Sequence, residues 1–176
     1  MSLELAAMRW LWIDKKCLVV LEERTPSYQM GQPDVLGITA GRYMVEIEIK
    51  RSVSDFRADA KKDHRINRSR FLKNQPRQFY YLMESRLADK LVGEIPEWAG
   101  LMKTDERFYV EIVKQAPVNK ESLPLSLKQC VRLSRMMTSH MMGYAQSNQT
   151  LKSVYRNGTD YDFTIWVDAE KGTYQI

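Results

Sequence analysis

The sequence predicts an α/β fold built on a mixed sheet and extended at its C-terminal end by a helix and a β-hairpin. Three observations carry that prediction. Apolar, β-branched runs alternate with helical patterns in the order α-β-β-β-α-β-α-β-β. Two of those runs are separated by only four residues, which makes them an antiparallel hairpin. After a linker-like stretch at 119–124, the chain turns to one long helical pattern and then to strict alternation.

The elements follow in order. Residues 3–12 place apolar side chains at 3, 5, 8, 10, 11 and 12 with alanines between them, a buried first helix that carries Glu4. Residues 17–22 form a first strand, and 25–32, punctuated by Pro26 and Gly31, a loop. Residues 35–39 and 43–51 make the hairpin. Ser54-Asp55 stands where an N-cap and a first-turn acid belong, and a basic helix runs from Phe56 to about Asn67, followed by a basic loop over 68–77. Residues 78–83 read as a buried strand, 84–92 as a short helix with Leu87, Ala88 and Leu91 on one face, and 99–103 and 108–114 as two further strands. Ser126 and Gln129 make a capping box for a helix that ends near Met142, before Gly143. Its methionines at 136, 137, 141 and 142 are expected in a core rather than on a binding surface. Tyr161, Phe163, Ile165 and Val167 then alternate with polar neighbours, and Glu170-Lys171-Gly172 turns the chain into a last strand over 173–176.

Bulk properties narrow the function classes. At 176 residues the chain accommodates one domain with a core and an appended piece. With 44% hydrophobic and 28% charged residues it has the composition of a folded globular protein. No apolar run approaches the ~20 residues that span a bilayer, and the first residues lack a basic stretch before a hydrophobic one, so neither membrane insertion nor secretion is expected. Cys17 and Cys130 lie far apart without metal-ligand spacing and read as reduced core residues of a cytoplasmic protein.

The net charge of +5 is modest, but its distribution is uneven. Residues 50–77 hold ten Lys/Arg against three Asp, so this segment alone carries +7. Such an excess suits a polyanion such as nucleic acid.

That basic segment follows an acidic strand. Asp34 opens the first strand of the hairpin, and Glu46, Glu48 and Lys50 share one face of the second, with Val45, Ile47 and Ile49 on the other. Three adjacent charges on so apolar a strand are expensive to bury without a function. A divalent cation held by Asp34 and Glu48 would supply one, with Lys50 beside the water it activates. The plainer alternative is a solvated hairpin face carrying cross-strand ion pairs.

Asp34 with Glu48-Ile49-Lys50 resembles the signature of the PD-(D/E)XK nuclease superfamily, the restriction-endonuclease-like fold. The longer string from Val45 to Asp59, in which Ser52 and Asp55-Phe56-x-x-Asp59 follow Glu-Ile-Lys, is similar to small bacterial DNA-repair proteins of the MmcB-like kind. Glu97 to Leu101 and Val113 to Pro117 fit the closing strands of the same family. The resemblance covers residues 3–117. It implies a nuclease-like core over 1–117, with a central mixed sheet flanked by helices, and leaves 118–176 as an α+β extension packed on that core. It also implies Asp34 and Glu48 as metal ligands, the Ile49 carbonyl as a third, and Lys50 as the motif lysine. Glu4 and Glu46 are candidates for an additional acid. Mg²⁺ or Mn²⁺ is the implied cofactor and DNA the implied partner. Arg51, Arg57, Lys61, Lys62 and Arg65 would contact the phosphates.

The expected activity is therefore metal-dependent hydrolysis of DNA phosphodiester bonds, in repair, recombination or defence, with a phage origin among the options. The alternative is a catalytically silent nuclease-like module that binds DNA or a protein. RNA as substrate, strand preference and oligomeric state, a homodimer included, stay open at this point. His64 and His140 lack triad partners and are read as ordinary surface or half-buried histidines. Phe79, Tyr80 and Tyr81 are assigned to core packing rather than to base stacking.

Overall fold

The computed structural model describes residues 2–22, 33–60, 75–147, 166–168 and 173–175. The expected hairpin forms between β2 (Val35–Ile38) and β3 (Met44–Ile49), with five residues, 39–43, between the strands. Thr39 closes it. Its N–H donates to the Tyr43 carbonyl at 3.0 Å, and its Oγ1 accepts from the Tyr43 N–H at 3.1 Å. Arg42 takes a left-handed conformation (φ 64°) to reverse the chain. β1 (Val19–Glu22) pairs antiparallel with β2 on the outer side. β4 (Gln78–Glu84) joins β3 in parallel, β5 (Gly100–Thr104) joins β4 in parallel, and β6 (Val110–Lys114) closes antiparallel on β5. The result is a six-stranded mixed sheet whose strands lie in sequence order.

Helices cover both faces. α1 (Leu3–Arg9), continued by a π-helical turn at Trp10–Asp14, packs Leu3, Ala7 and Leu11 against Val35, Ile47 and Ile49. On the opposite face, α2 (Val53–Ala60) and α3 (Ser85–Leu91) pack Phe56, Ala88 and Leu91 against Phe79, Tyr81 and Leu101. The fold class is thus α/β, with a mixed sheet flanked by helices. Strand alternation sends Tyr80 into the first core and Phe79 and Tyr81 into the second, and all three rings are buried.

Glycine matters where the layers come closest. A Cβ at Gly37 would meet Leu11 Cδ2 at 2.7 Å and Cys17 Sγ at 2.8 Å, so the α1 layer sits directly on β2. At Gly100 a Cβ would run into the Tyr80 ring and lie 2.7 Å from the backbone nitrogen of Ala116, which cannot move as a side chain can. Gly100→Ala is therefore expected to destabilise the protein by about 1–3 kcal/mol, measured by urea unfolding. Unaltered stability would show that β5 can shift away from β4.

Several boundaries differ from expectation, each for a local reason. Ser52, not Ser54, caps α2: its Oγ accepts from the Asp55 N–H at 3.0 Å, and the helix begins at Val53. The expected continuation of this helix to residue 67, the basic loop over 68–74, the loop at 25–32 and the strand at 161–165 lie outside the described residues. The chain divides into two compact units, Met1–Ser134 and Arg135–Ile176, so the first unit runs past residue 117. It does so because Asn119 N–H donates to Arg77 O at 2.8 Å, Ser122 Oγ to Gln75 O at 2.9 Å and Leu125 N–H to Arg42 O at 2.9 Å, while the Leu125 side chain is fully buried.

The capping box opens α4 (Leu127–Ser147) as expected: Gln129 N–H donates to Ser126 Oγ at 3.3 Å and Ser126 N–H to Gln129 Oε1 at 2.8 Å. Gly143 does not end it; the helix continues to Ser147. Met141 and Met142 are exposed rather than in a core, and Met136 and Met137 are half-buried. Within the second unit, β7 (Trp166–Asp168) and β8 (Thr173–Gln175) pair antiparallel as the expected hairpin. Cys17 is buried and Cys130 half-buried, and neither is in a disulfide. Burial pushes the Cys17 thiol up to about 11, as suits a packed rather than a reactive cysteine. Among the described residues no helix is long and apolar enough to cross a membrane.

Candidate active site

Register brings the site together. Val35 pairs with Ile47 in the antiparallel hairpin, so Asp34, one residue earlier, falls opposite Glu48, one residue later, on the same face. Asp34 Oδ2 accepts the Ile49 N–H at 2.7 Å, which fixes the carboxylate at the end of β3. Glu48 and Lys50 then project from the face shared with Tyr81, since Glu48 pairs with Tyr81 across the parallel β3–β4 ladder.

These charges are deeply placed. Relative exposures are 2% for Glu46, 6% for Glu48, 2% for Lys50 and 0% for Asp59. The solvated hairpin face that the plainer reading required is not what forms, because α2 covers that side of the sheet. Lys50 Nζ donates to Glu48 Oε1 at 2.9 Å and lies 3.4 Å from Asp59 Oδ1 and 4.0 Å from Asp55 Oδ1. Asp55 and Asp59 reach the same ammonium because residues four apart share one face of α2. Tyr81 OH donates to the other Asp59 oxygen at 3.3 Å.

In front of this cluster is an open cleft of about 360 Å³ lined by Glu4, Asp34, Glu48, Ile49, Lys50, Arg51 and Asp55. Four carboxylates against two cations leave its lining negative. Arg51 stands at the rim, half its reach in solvent: its guanidinium pairs with Glu4 of α1, and its backbone N–H donates to Asp55 Oδ2 at 3.1 Å. Burial pushes the Glu4 carboxyl up. Hydrogen bonds from its own backbone N–H, Ser2 and Arg51 outweigh that and hold it below the ordinary carboxylate range.

The sequence-derived residues sort as follows. Asp34, Glu48, Ile49, Lys50, Arg51 and Glu4 meet at one cleft. Glu46 does not line it: it lies two residues back along β3, roughly 6.6 Å deeper at the strand rise, beneath the sheet cover. Arg57 is turned to Glu94, with hydrogen bonds of 2.7 and 3.1 Å that raise the guanidinium pKa and lower that of Glu94. Lys61, Lys62, His64 and Arg65 lie outside the described residues, as does the side chain of His140. Two residues that are not among the expected site residues, Asp59 of the Asp-Phe-x-x-Asp string and Tyr81, assigned to core packing, stand behind Lys50. The available signal was the four-residue spacing of Asp55 and Asp59; nothing in the sequence pointed to Tyr81.

Among the described residues no three His, Cys, Asp or Glu side chains are gathered as a metal-ligand group. The cleft offers a smaller set, the Asp34 and Glu48 carboxylates and the Ile49 carbonyl. These are hard oxygen donors of the kind that suits Mg²⁺, which binds through one or two carboxylates and keeps several waters. In kind and in charge the residues fit such an ion.

Comparison with known proteins gives no family. No family model matches the chain. No curated protein matches it. A solved structure, a protein of unknown function from Silicibacter pomeroyi, is similar at a TM-score of 0.49 and 23% identity, covering 89% of this chain and 91% of that one.

Proposed function

We propose that this chain is a divalent-metal-dependent nuclease that hydrolyses phosphodiester bonds in DNA, with a restriction-endonuclease-like core. One observation carries the reading: Asp34 and Glu48, opposed across two strands, line a single open cleft with Ile49 and the buried ammonium of Lys50. The resemblance of Asp34, Glu48-Ile49-Lys50 and the following Asp55-Phe56-x-x-Asp59 to PD-(D/E)XK nucleases supports it.

Asp34, Glu48 and the Ile49 carbonyl would hold Mg²⁺ or Mn²⁺, which when bound polarises a phosphate and lowers the pKa of a coordinated water. The chain's own groups supply the rest. Lys50, backed by the buried Asp59, would present a positive charge beside the position where the phosphate oxygens gain charge. It also stands where it can hydrogen-bond an attacking water. Arg51 at the rim is placed for a neighbouring phosphate. Arg57, Lys61, Lys62 and Arg65 would hold the backbone further out. Arg57 must leave Glu94 to do so, and a solvent-exposed pair of that kind contributes little.

A second reading, a catalytically silent module that binds DNA or a protein, is favoured by the pairing of Lys50 with Glu48 and Asp59, an arrangement that also works as a buried ion-pair network. Incubating the pure protein with supercoiled, linear and single-stranded DNA in Mg²⁺, Mn²⁺ or EDTA separates the two. Cleavage in either metal and none in EDTA is the expected result. DNA binding without cleavage under any of these conditions would establish the silent module.

Affinity should come mainly from phosphate contacts. Replacing Arg57, Lys61 and Lys62 together by alanine is expected to flatten the log–log salt dependence of duplex binding by roughly two to three units. Fluorescence anisotropy in Ca²⁺ across a salt series measures this. An unchanged slope would leave the basic segment as a solvated face.

A further inference from the structure

We infer that Asp59 is a positioning residue for Lys50: it retains the ammonium in the cleft wall when Glu48 is taken up by a divalent cation. The inference rests on the metal-dependent reading of the site. Lys50 Nζ lies between two carboxylates, 2.9 Å from Glu48 Oε1 and 3.4 Å from Asp59 Oδ1. Glu48 lines the cleft, whereas Asp59 stands behind it and is completely buried. The two partners of the ammonium therefore differ in what else they can meet.

Asp59 is held from two sides. The backbone of α2 carries it one turn beyond Asp55, and Tyr81 OH donates to its Oδ2 at 3.3 Å. Tyr81 itself is clamped edge-on between the rings of Phe56 and Phe79, each with centroids 5.1 Å away. A carboxylate buried this deeply is costly unless it stays paired, and the Lys50 ammonium lies 3.4 Å from it.

A divalent cation on Glu48 draws charge from that carboxylate and repels the ammonium held on its Oε1, which weakens the Lys50–Glu48 pair. The ammonium then passes to Asp59, with Asp55 Oδ1 already 4.0 Å away. Asp59 thereby promotes cation binding without touching the cation, by offering the competing ammonium another partner. In the absence of metal, Lys50 serves as the stand-in counter-charge of Glu48.

Calorimetric Mn²⁺ affinities at a single pH test this in four chains: wild type, Asp59→Asn, Lys50→Met and the double variant. Asp59→Asn is expected to weaken Mn²⁺ binding about tenfold in the presence of Lys50, and to change it little in the Lys50→Met chain. Equal losses in both backgrounds would reduce the effect to through-space charge and overturn the inference. Wild-type binding that is indifferent to Asp59→Asn overturns it alone, whereas a wild type that binds no Mn²⁺ overturns it together with the metal-dependent reading. Should Lys50→Met fail to fold, a structure of the Mn²⁺-bound unmodified chain decides. Nζ on Asp59 and out of hydrogen-bond reach of Glu48 supports the inference, and Nζ still on Glu48 overturns it.

Discussion

Asp34→Ala is expected to remove divalent-dependent DNA cleavage while the chain stays folded. Asp34 is one of two carboxylates that face each other across the hairpin, so its loss removes half of the charged ligand set. The fall in activity should exceed the roughly 10–100-fold seen when only a hydrogen-bonding partner behind a metal ligand is lost. On the structural side the substitution deletes the hydrogen bond from the Ile49 N–H at 2.7 Å, and the loss of that bond costs about 1–3 kcal/mol. Asp34→Asn is the sharper variant, since its amide oxygen can still accept that N–H while the negative charge is gone. Both variants should be assayed for nicking of supercoiled DNA in Mg²⁺, with Mn²⁺ affinity measured in parallel. Wild-type cleavage by either pure variant would end the assignment of Asp34 to the site.

Lys50→Ala carries the largest expected effect on stability. The ammonium is the shared counter-charge of Glu48 and Asp59, and the lysine side chain is almost entirely buried. Losing one partner of a buried ionic cluster costs about 3–5 kcal/mol. For a chain of this size that corresponds to a drop in Tm of about 10 °C in EDTA. Mn²⁺ should restore part of it, because an ion that binds the folded chain alone stabilises it by mass action. The same substitution should abolish turnover yet leave Mn²⁺ binding intact, with the competing ammonium gone. Thermal unfolding with and without Mn²⁺ provides the check. An unchanged Tm in EDTA would show that Lys50 is not the counter-charge of the cluster.

Much of the fold was legible because it depends on short-range rules. A short connection between two apolar runs permits little but a hairpin, and Ser126 and Gln129 cap α4 reciprocally as their spacing requires. The period of two along β3 separated Val45, Ile47 and Ile49 from Glu46, Glu48 and Lys50 before any partner was known. Local rules misled where two signals competed. Ser52 and Ser54 both precede Asp55, and the geometry of the chain leaving β3 made Ser52 the cap. Gly143 looked like a terminator, but a glycine inside a helix costs only about 1 kcal/mol and the helix runs through it.

The sequence by itself determined the order of elements along the chain, the hairpin and the two faces of β3, because alternation and short connections follow from backbone geometry alone. Only the tertiary structure decided that α2 lies over those charges and buries them. It also placed Asp59 and Tyr81 behind Lys50, and turned Arg51 to Glu4 and Arg57 to Glu94. Those pairings join residues that are distant along the chain, from Arg51 to Glu4 and from Tyr81 to Asp59. Their distances are set by how helices pack on a twisted sheet, which no local pattern of residues encodes.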